Sequence, residues 1–121
     1  MVKPSVVLER FDIDVGTIYS GMSKTVNASA RVMMPGEYNV VFYGVEYIGD
    51  GNASSSPELV NYTVTVFLED YSNLLGTFSN MKNLTTTLPG GEHTLLFITR
   101  IDTPVVEEPV NFTLQIYMAT G

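Results

Sequence analysis

The stretch "VNYTVTVFLED", residues 60–70, alternates strictly from Val60 to Val66, and Phe67 is the apolar exception on the polar phase. Val60, Tyr62, Val64, Val66 and Leu68 fall on one phase, and Asn61, Thr63, Thr65 and Glu69 on the other. An extended chain points successive side chains to opposite faces. A period of two over this length therefore reads as a strand with one face on a core and the other in water. "VNFTLQIYMA", 110–119, repeats the pattern, with Val110, Phe112, Leu114, Ile116 and Met118 inward. "KTVNASARVM", 24–33, does so with Val26, Ala28, Ala30 and Val32. "YNVVFYGVEYIG", 38–49, and "HTLLFITRI", 93–101, are apolar on both phases, the mark of central strands covered on both sides.

Turn chemistry separates these runs at "MPGE" (34–37), "GDGN" (49–52), "PGGE" (89–92) and "TPVVEEP" (103–109). Only "GDGNASSSPE" (49–58) reads as a long loop. "SPELVNYTV" could open one helical turn, but the β-branched residues that follow end it. Seven or eight strands, no helix and no internal repeat predict an all-β, single-domain antiparallel β-sandwich.

The chain has 121 residues, enough for one domain with a real core, and 45% hydrophobic residues to fill it. No apolar run of about 18 residues exists to cross a membrane as a helix. Lys3 and Pro4 follow Met1 almost at once, with no apolar leader behind them, so either the protein is cytosolic or an export signal precedes this start. The net charge is −7, from 13 acidic and 6 basic residues. Six scattered cations make no basic groove, which argues against nucleic acid as a partner. With no cysteine there is no disulfide, thiol catalysis or zinc–thiolate site.

The first segment, "KPSVVLERFDIDVGTI" (3–18), is overlong. No Gly, Pro or Asn lies between Pro4 and Gly16, whereas a typical strand needs about 5–6 residues. Val7 and Phe11 share one phase, Val6 and Leu8 the other. Such a strand needs a backbone partner: it either folds back as the domain's own first strand or adds to a sheet edge of another copy. The second outcome is the expectation here. It divides the chain into a donor strand, residues 1–11, and a β-sandwich, residues 12–121. The donated side chains and backbone come from Val2, Ser5, Val6, Val7, Leu8, Glu9 and Arg10, and Gly16 is the first place where the chain can easily change direction.

Asn-x-Ser/Thr occurs at Asn27, Asn52, Asn61, Asn83 and Asn111, five of the eight asparagines, where chance gives about one or two. Asn27, Asn61 and Asn111 lie on outward phases, and Asn52 and Asn83 in loops, so all five can carry a glycan into solvent. That placement points to a secreted, N-glycosylated surface protein. Polar strand faces rich in Asn and Thr are the bland account of the same pattern.

Catalytic signals are absent. His93 is the single histidine, with no Gly-x-Ser-x-Gly elbow and no His-Glu-x-x-His. It reads as a strand-end residue. Asp12 and Asp14 sit at i, i+2, on one face of a strand and about 7 Å apart. That spacing suits a glycosidase, but nothing else in the chain supports a sugar cleft. Calcium is the better use: it takes six to eight hard oxygens, and Asp12, Asp14, Asp50, Asn52 and Glu107 are the candidate ligands, some shared between subunits.

The run "FDIDVGTIYSGMSKTVNASARVMMPGEYNVVFYGVEYIGD" (11–50), completed by "LTTTLPGGEHTLLFITRID" (84–102) and "NFTLQIYMA" (111–119), resembles the camelysin/TasA family of biofilm-fibre proteins and its archaeal relatives, the bundling pili and cannula-type tubule proteins. The likeness covers most of the chain and rests on a pattern of strands and turns. It implies a jelly-roll sandwich, secretion, and a filament built by donor-strand complementation, with calcium at subunit contacts in cannula-type members. The metalloprotease activity described for some members is not carried over, because its motif is missing. The chain is also shorter than the family leads one to expect.

A structural subunit that polymerises with itself outside the cell is thus the expected function. The alternative is a surface-displayed carbohydrate- or protein-binding module. The former would show a row of exposed aromatics, whereas this chain lacks Trp and its Tyr38, Tyr43, Tyr47, Tyr62 and Tyr71 mostly fit strand faces. An enzyme is the least supported reading.

Overall fold

A computed structural model describes residues 7–48, 61–103 and 110–120. Eight strands follow in order: β1 (Val7–Ile18), β2 (Ser23–Met34), β3 (Tyr38–Ile48), β4 (Asn61–Leu68), β5 (Leu74–Ser79), β6 (Leu84–Leu88), β7 (Gly91–Asp102) and β8 (Val110–Thr120). They form two antiparallel sheets packed face to face. Sheet A has the order β1-β8-β3-β6 and sheet B the order β2-β7-β4-β5. First pairs with last, second with seventh, third with sixth and fourth with fifth, all antiparallel. This nested order, closed by β3–β8 and β4–β7 pairing, is the jelly roll.

The core lies between the sheets and is built from the inward phases of the strands. Sheet A contributes Ile13, Val15, Val40, Phe42, Leu114, Ile116 and Met118; sheet B contributes Tyr62, Val64, Val66, Phe78, Leu95, Phe97 and Ile101. Each fully buried side chain of this size is worth about 1.5–3 kcal/mol relative to exposure. Phe42 is central: it stacks with Phe78 across the interface at 6.3 Å and meets Phe97 edge-on at 6.4 Å.

A polar link joins the two sheets at Tyr62. The Tyr62 hydroxyl donates to the Gly44 carbonyl at 3.2 Å. Gly44 is required for that approach, because a Cβ there would lie 2.6 Å from the Tyr62 oxygen and 3.0 Å from Leu114 Cδ1. A buried tyrosine with its hydroxyl satisfied costs far less than one left unpaired.

Several expectations change in detail. Gly16 has a positive φ, 81°, but does not turn the chain. It completes a bulge in β1 between Asp14 and Gly16, and the strand runs on to Ile18. The reversal comes at the turn after Tyr19, where the Met22 N–H donates to the Tyr19 carbonyl at 3.1 Å and Gly21 takes φ 71°. The both-phase apolar strands β3 and β7 are central as expected, yet no described element covers their outer sides, where Val45 is exposed and Leu96 and Ile98 are half-buried.

The Gly44 approach yields a direct check. Gly44→Ala should destabilise the domain by about 1–3 kcal/mol, the usual range for overpacking. Urea unfolding followed by tyrosine fluorescence would measure it. A Gly44→Ala, Tyr62→Phe double variant should recover part of the loss.

Candidate assembly margin

The two sheets meet at two lateral margins of different character. Along one run β5 and β6, six and five residues long. It is closed by a tight contact: a Cβ on Gly76 would lie 2.4 Å from Leu84 Cδ1, and the β4–β5 ladder shifts register beside it, between Val66 and Phe67. Along the other run β1 and β2, each twelve residues long.

β1 protects its free edge. Two register shifts, between Val7 and Glu9 and between Asp14 and Gly16, break its regularity. Glu9, Arg10, Asp12 and Asp14 are exposed along it. Bulges and charges are the usual guards against unwanted strand pairing. β2 has neither device. Its twelve residues pair with β7 without one shift, from Ser23–Asp102 to Met34–Gly91, and no described strand lies on its other side. It contains no proline or carboxylate. Both its cations are engaged: Lys24 Nζ donates to the Val15 carbonyl at 2.7 Å, and Arg31 pairs with Glu92.

The seam between these edges is incompletely filled. On β2 the inward residues Val26, Ala28 and Ala30 are only half-buried, although Val32 and Met34 beyond them are fully buried. On β1, Leu8 and Phe11 are half-buried too, with the Phe11 ring 5.3 Å from that of Phe97. Ala28 and Ala30 are the reason for the space: a methyl side chain at an inward position does not reach across a sandwich about 10 Å thick.

The expected donor residues are placed as follows. Val7, Leu8, Glu9 and Arg10 pair with their own β8, Val7 opposite Ala119 and Arg10 opposite Tyr117. β1 runs from Val7 to Ile18, across the expected boundary between residues 11 and 12. Val7 is nonetheless 48% exposed and only Leu8 of the four is half-buried, so this end of β1 buries little. Val2, Ser5 and Val6 lie outside the described residues.

Of the metal candidates, Asp12 and Asp14 are described, and each has a partner within β1. Asp12 Oδ1 is 3.7 Å from Arg10 Nε, and Asp14 Oδ1 accepts the Gly16 N–H at 3.0 Å, capping the bulge. Asp50, Asn52 and Glu107 lie outside the described residues, and among the described residues no group of three carboxylate or imidazole side chains converges. Of the sequons, Asn27, Asn61, Asn83 and Asn111 are all exposed, and Asn52 lies outside the described residues.

His93 occupies the end of the sandwich remote from the β1–β2 turn. Its Nδ1 lies 2.7 Å from Glu69 Oε1, and its Nε2 lies 3.0 Å and 3.1 Å from the Pro89 and Gly90 carbonyls. Both nitrogens face acceptors, so no nitrogen is left for a hydroxyl nucleophile. Hydrogen bonding to Glu69 is the main cause that holds the imidazole pKa above its ordinary value, against the opposing pull of burial. Glu69 sits at φ 71°, the one non-glycine with positive φ among the described residues, and its N–H donates to the Thr94 carbonyl at 2.8 Å. Glu69 as the histidine's partner has no local sequence signal: it is 24 residues away.

On sheet A two half-buried tyrosines lie against each other. Tyr43 and Tyr117 stack with ring centroids 5.3 Å apart and 10° between their planes.

No family model and no curated protein matches the chain. Among solved structures, a crystal structure of a protein from Sulfurospirillum deleyianum is similar with a TM-score of 0.46 and 10% identity, covering 91% of this chain and 97% of that one. A likeness of that strength carries no argument about function.

A single histidine gives a single titration. By proton NMR its ring resonances should titrate with a midpoint above the ordinary value of about 6.5. Because the folded-state pKa is raised, the pair stabilises fully below that ordinary value, and its contribution is lost as pH rises through the raised one. Glu69→Gln should lower the midpoint and flatten the loss of stability over that same interval.

Proposed function

We propose that this chain is a non-catalytic structural subunit that assembles with itself into an extracellular filament or tubule by strand donation. Residues 2–10 of one copy add to the β1/β2 margin of the next. The observation that carries the reading is that margin: a long, regular β2 edge without bulge, proline or carboxylate, beside a half-open apolar seam of Phe11, Val26, Ala28 and Ala30. An edge of this kind is a template for another strand. Backbone hydrogen bonds along β2 give affinity, and alternate apolar side chains of the donor, Val2, Val6 and Leu8 among them, fill the seam.

In a lone chain Val7–Arg10 rest on their own β8. Donation and acceptance use different surfaces. The contact is therefore heterologous, and growth need not close. Calcium enters as a bridge between copies: with a net charge of −7 two subunits repel, and a divalent ion shared by carboxylates such as Asp12 and Asp14 offsets that repulsion. Export and N-glycans on the exposed sequons belong to the same reading.

Two variants test the donor and the acceptor separately. Deleting residues 2–10 should give a folded subunit that does not polymerise in negative-stain micrographs. Ala28→Lys, which points a charge into the seam, should do the same while leaving the donor intact. Mixed in equal amounts, the two should form a complex of two chains and nothing larger, because one useful donor meets one useful seam. Normal filaments from the deletion variant would overturn strand donation.

For calcium the comparison is with sodium at equal ionic strength, which only screens. Polymer yield should rise with calcium and much less with sodium. Equal yields would reduce the effect to screening.

A further inference from the structure

His93 lies on the inward phase of β7, two residues before the buried Leu95, so its ring sits at the end of the core. The residue opposite it on β2 is the buried Val32. The ring touches two connections. One is the β4–β5 turn, through Glu69. The other is the β6–β7 connection, through the Pro89 and Gly90 carbonyls. That second connection carries the chain from sheet A to sheet B. It lies against the β2–β3 connection, which carries the chain the other way. Gly36 and Gly90 are the point of contact: a Cβ on Gly90 would be 3.1 Å from the Gly36 Cα and 3.3 Å from its carbonyl carbon.

Acceptors face both ring nitrogens. The imidazolium has two N–H donors and serves both sides, whereas the neutral ring has one. A carboxylate accepts more strongly than a carbonyl, so the proton that remains stays on Nδ1, toward Glu69. Nε2 then turns a lone pair to two carbonyl oxygens, and that side of the ring loses its bonds. Glu69 is held where it is by its own backbone, at φ 71° with its N–H donated to the Thr94 carbonyl. The other side is free to move. Pro89 leads into two glycines, and Gly91, at φ 104°, has nothing within 4 Å of its Cβ position.

We propose that His93 is a proton-operated clasp: the imidazolium holds the β6–β7 connection down on the end of the sandwich, and loss of its proton releases that connection from Gly36 while the Glu69 bond is kept. The charges around the ring fit this role. From the β4–β5 turn come Glu69 and Asp70, and Asp70 is turned to Ser72, accepting its N–H at 2.8 Å. Arg31 of β2 and Glu92 of β7 stand on the outward phase and pair with each other. Glu37 and Tyr38, on the β2–β3 connection and the start of β3, are exposed. The β6–β7 connection brings only carbonyls. Among the described residues Glu69 is thus the charged group that reaches the ring. Because hydrogen bonding to Glu69 raises the imidazole pKa, the clasp is shut below the ordinary value of about 6.5 and opens as pH rises through the raised one. The device belongs to the single domain and does not rest on strand donation.

Proton NMR of the full chain reads the clasp directly. The Hα protons of Gly36 and Gly90 should give a strong nuclear Overhauser effect while the ring is protonated. That signal should lose most of its intensity on deprotonation, with the same midpoint as the His93 ring resonances. Glu69→Gln exchanges the roles of the two nitrogens. The Gln amide N–H donates to Nδ1, so the neutral ring carries its proton on Nε2 and keeps the Pro89 and Gly90 carbonyls. In this variant the Gly36–Gly90 signal should persist across the whole pH range. A merely structural histidine would not produce that contrast. A wild-type signal that stays constant while the ring titrates, or that is absent at every pH, would overturn the clasp. So would a Glu69→Gln protein that loses the signal as the wild type does. Circular dichroism checks that the variant folds, and if it does not, the wild-type pH series decides alone.

Discussion

Sheet A hangs on β8. The last strand of the chain pairs with β1 on one side and β3 on the other, and neither of those strands touches the other directly. Its inward residues Phe112, Leu114, Ile116 and Met118 are all fully buried, forming one wall of the core on which Phe97 and Leu95 of β7 pack. Backbone pairing and side-chain burial therefore depend on the same segment. The register that joins Val7 to Ala119 spans nearly the whole chain. Closing a loop of that length costs conformational entropy before any contact rewards it, so a fold of nested long-range pairs forms late and all together.

The same nesting makes the two margins unequal. Strands β4, β5 and β6 belong to the inner part of the nest and are short, and Leu84 over Gly76 seals their side. Strands β1 and β2 are long, and their side stays half-open. A sandwich has edges that a closed barrel lacks, and each needs its own protection. Here β1 has bulges and charges, while β2 has only the seam beside it. The functional reading grows from that contrast.

The opposite end of the sandwich is bound differently. His93 ties the loop after β4, through Glu69, to the Pro89–Gly90 turn before β7. Gly90 in turn lies against Gly36, so close that a Cβ on Gly90 would be 3.1 Å from the Gly36 Cα. Three connections are thus held by one imidazole and one glycine–glycine approach. Asp70 caps the same β4–β5 turn by accepting the Ser72 N–H at 2.8 Å, and its hydrogen bonds to Ser72 hold its carboxyl below the usual range. These ties lie at the end of the sandwich remote from the β1–β2 turn.

The sequence by itself determined the strands, most of their inward rows and the outward placement of Asn27, Asn61 and Asn111. Those features follow from local sterics: a pleated backbone alternates its side chains whatever it pairs with, and Gly, Pro and Asp mark turns by their own φ preferences. It did not determine partners. That Val7–Arg10 pair with β8 within the one chain, that Gly16 kinks a strand instead of ending it, and that Glu69 answers His93 all depend on segments far away along the chain. Nor could alternation tell Ala28 from Val64. Both read as inward, but β2 ends its sheet and β4 does not, so Ala28 stays half-open while Val64 is fully buried. Periodicity says which way a side chain points; only the sheet packed against it decides whether anything is there to meet it.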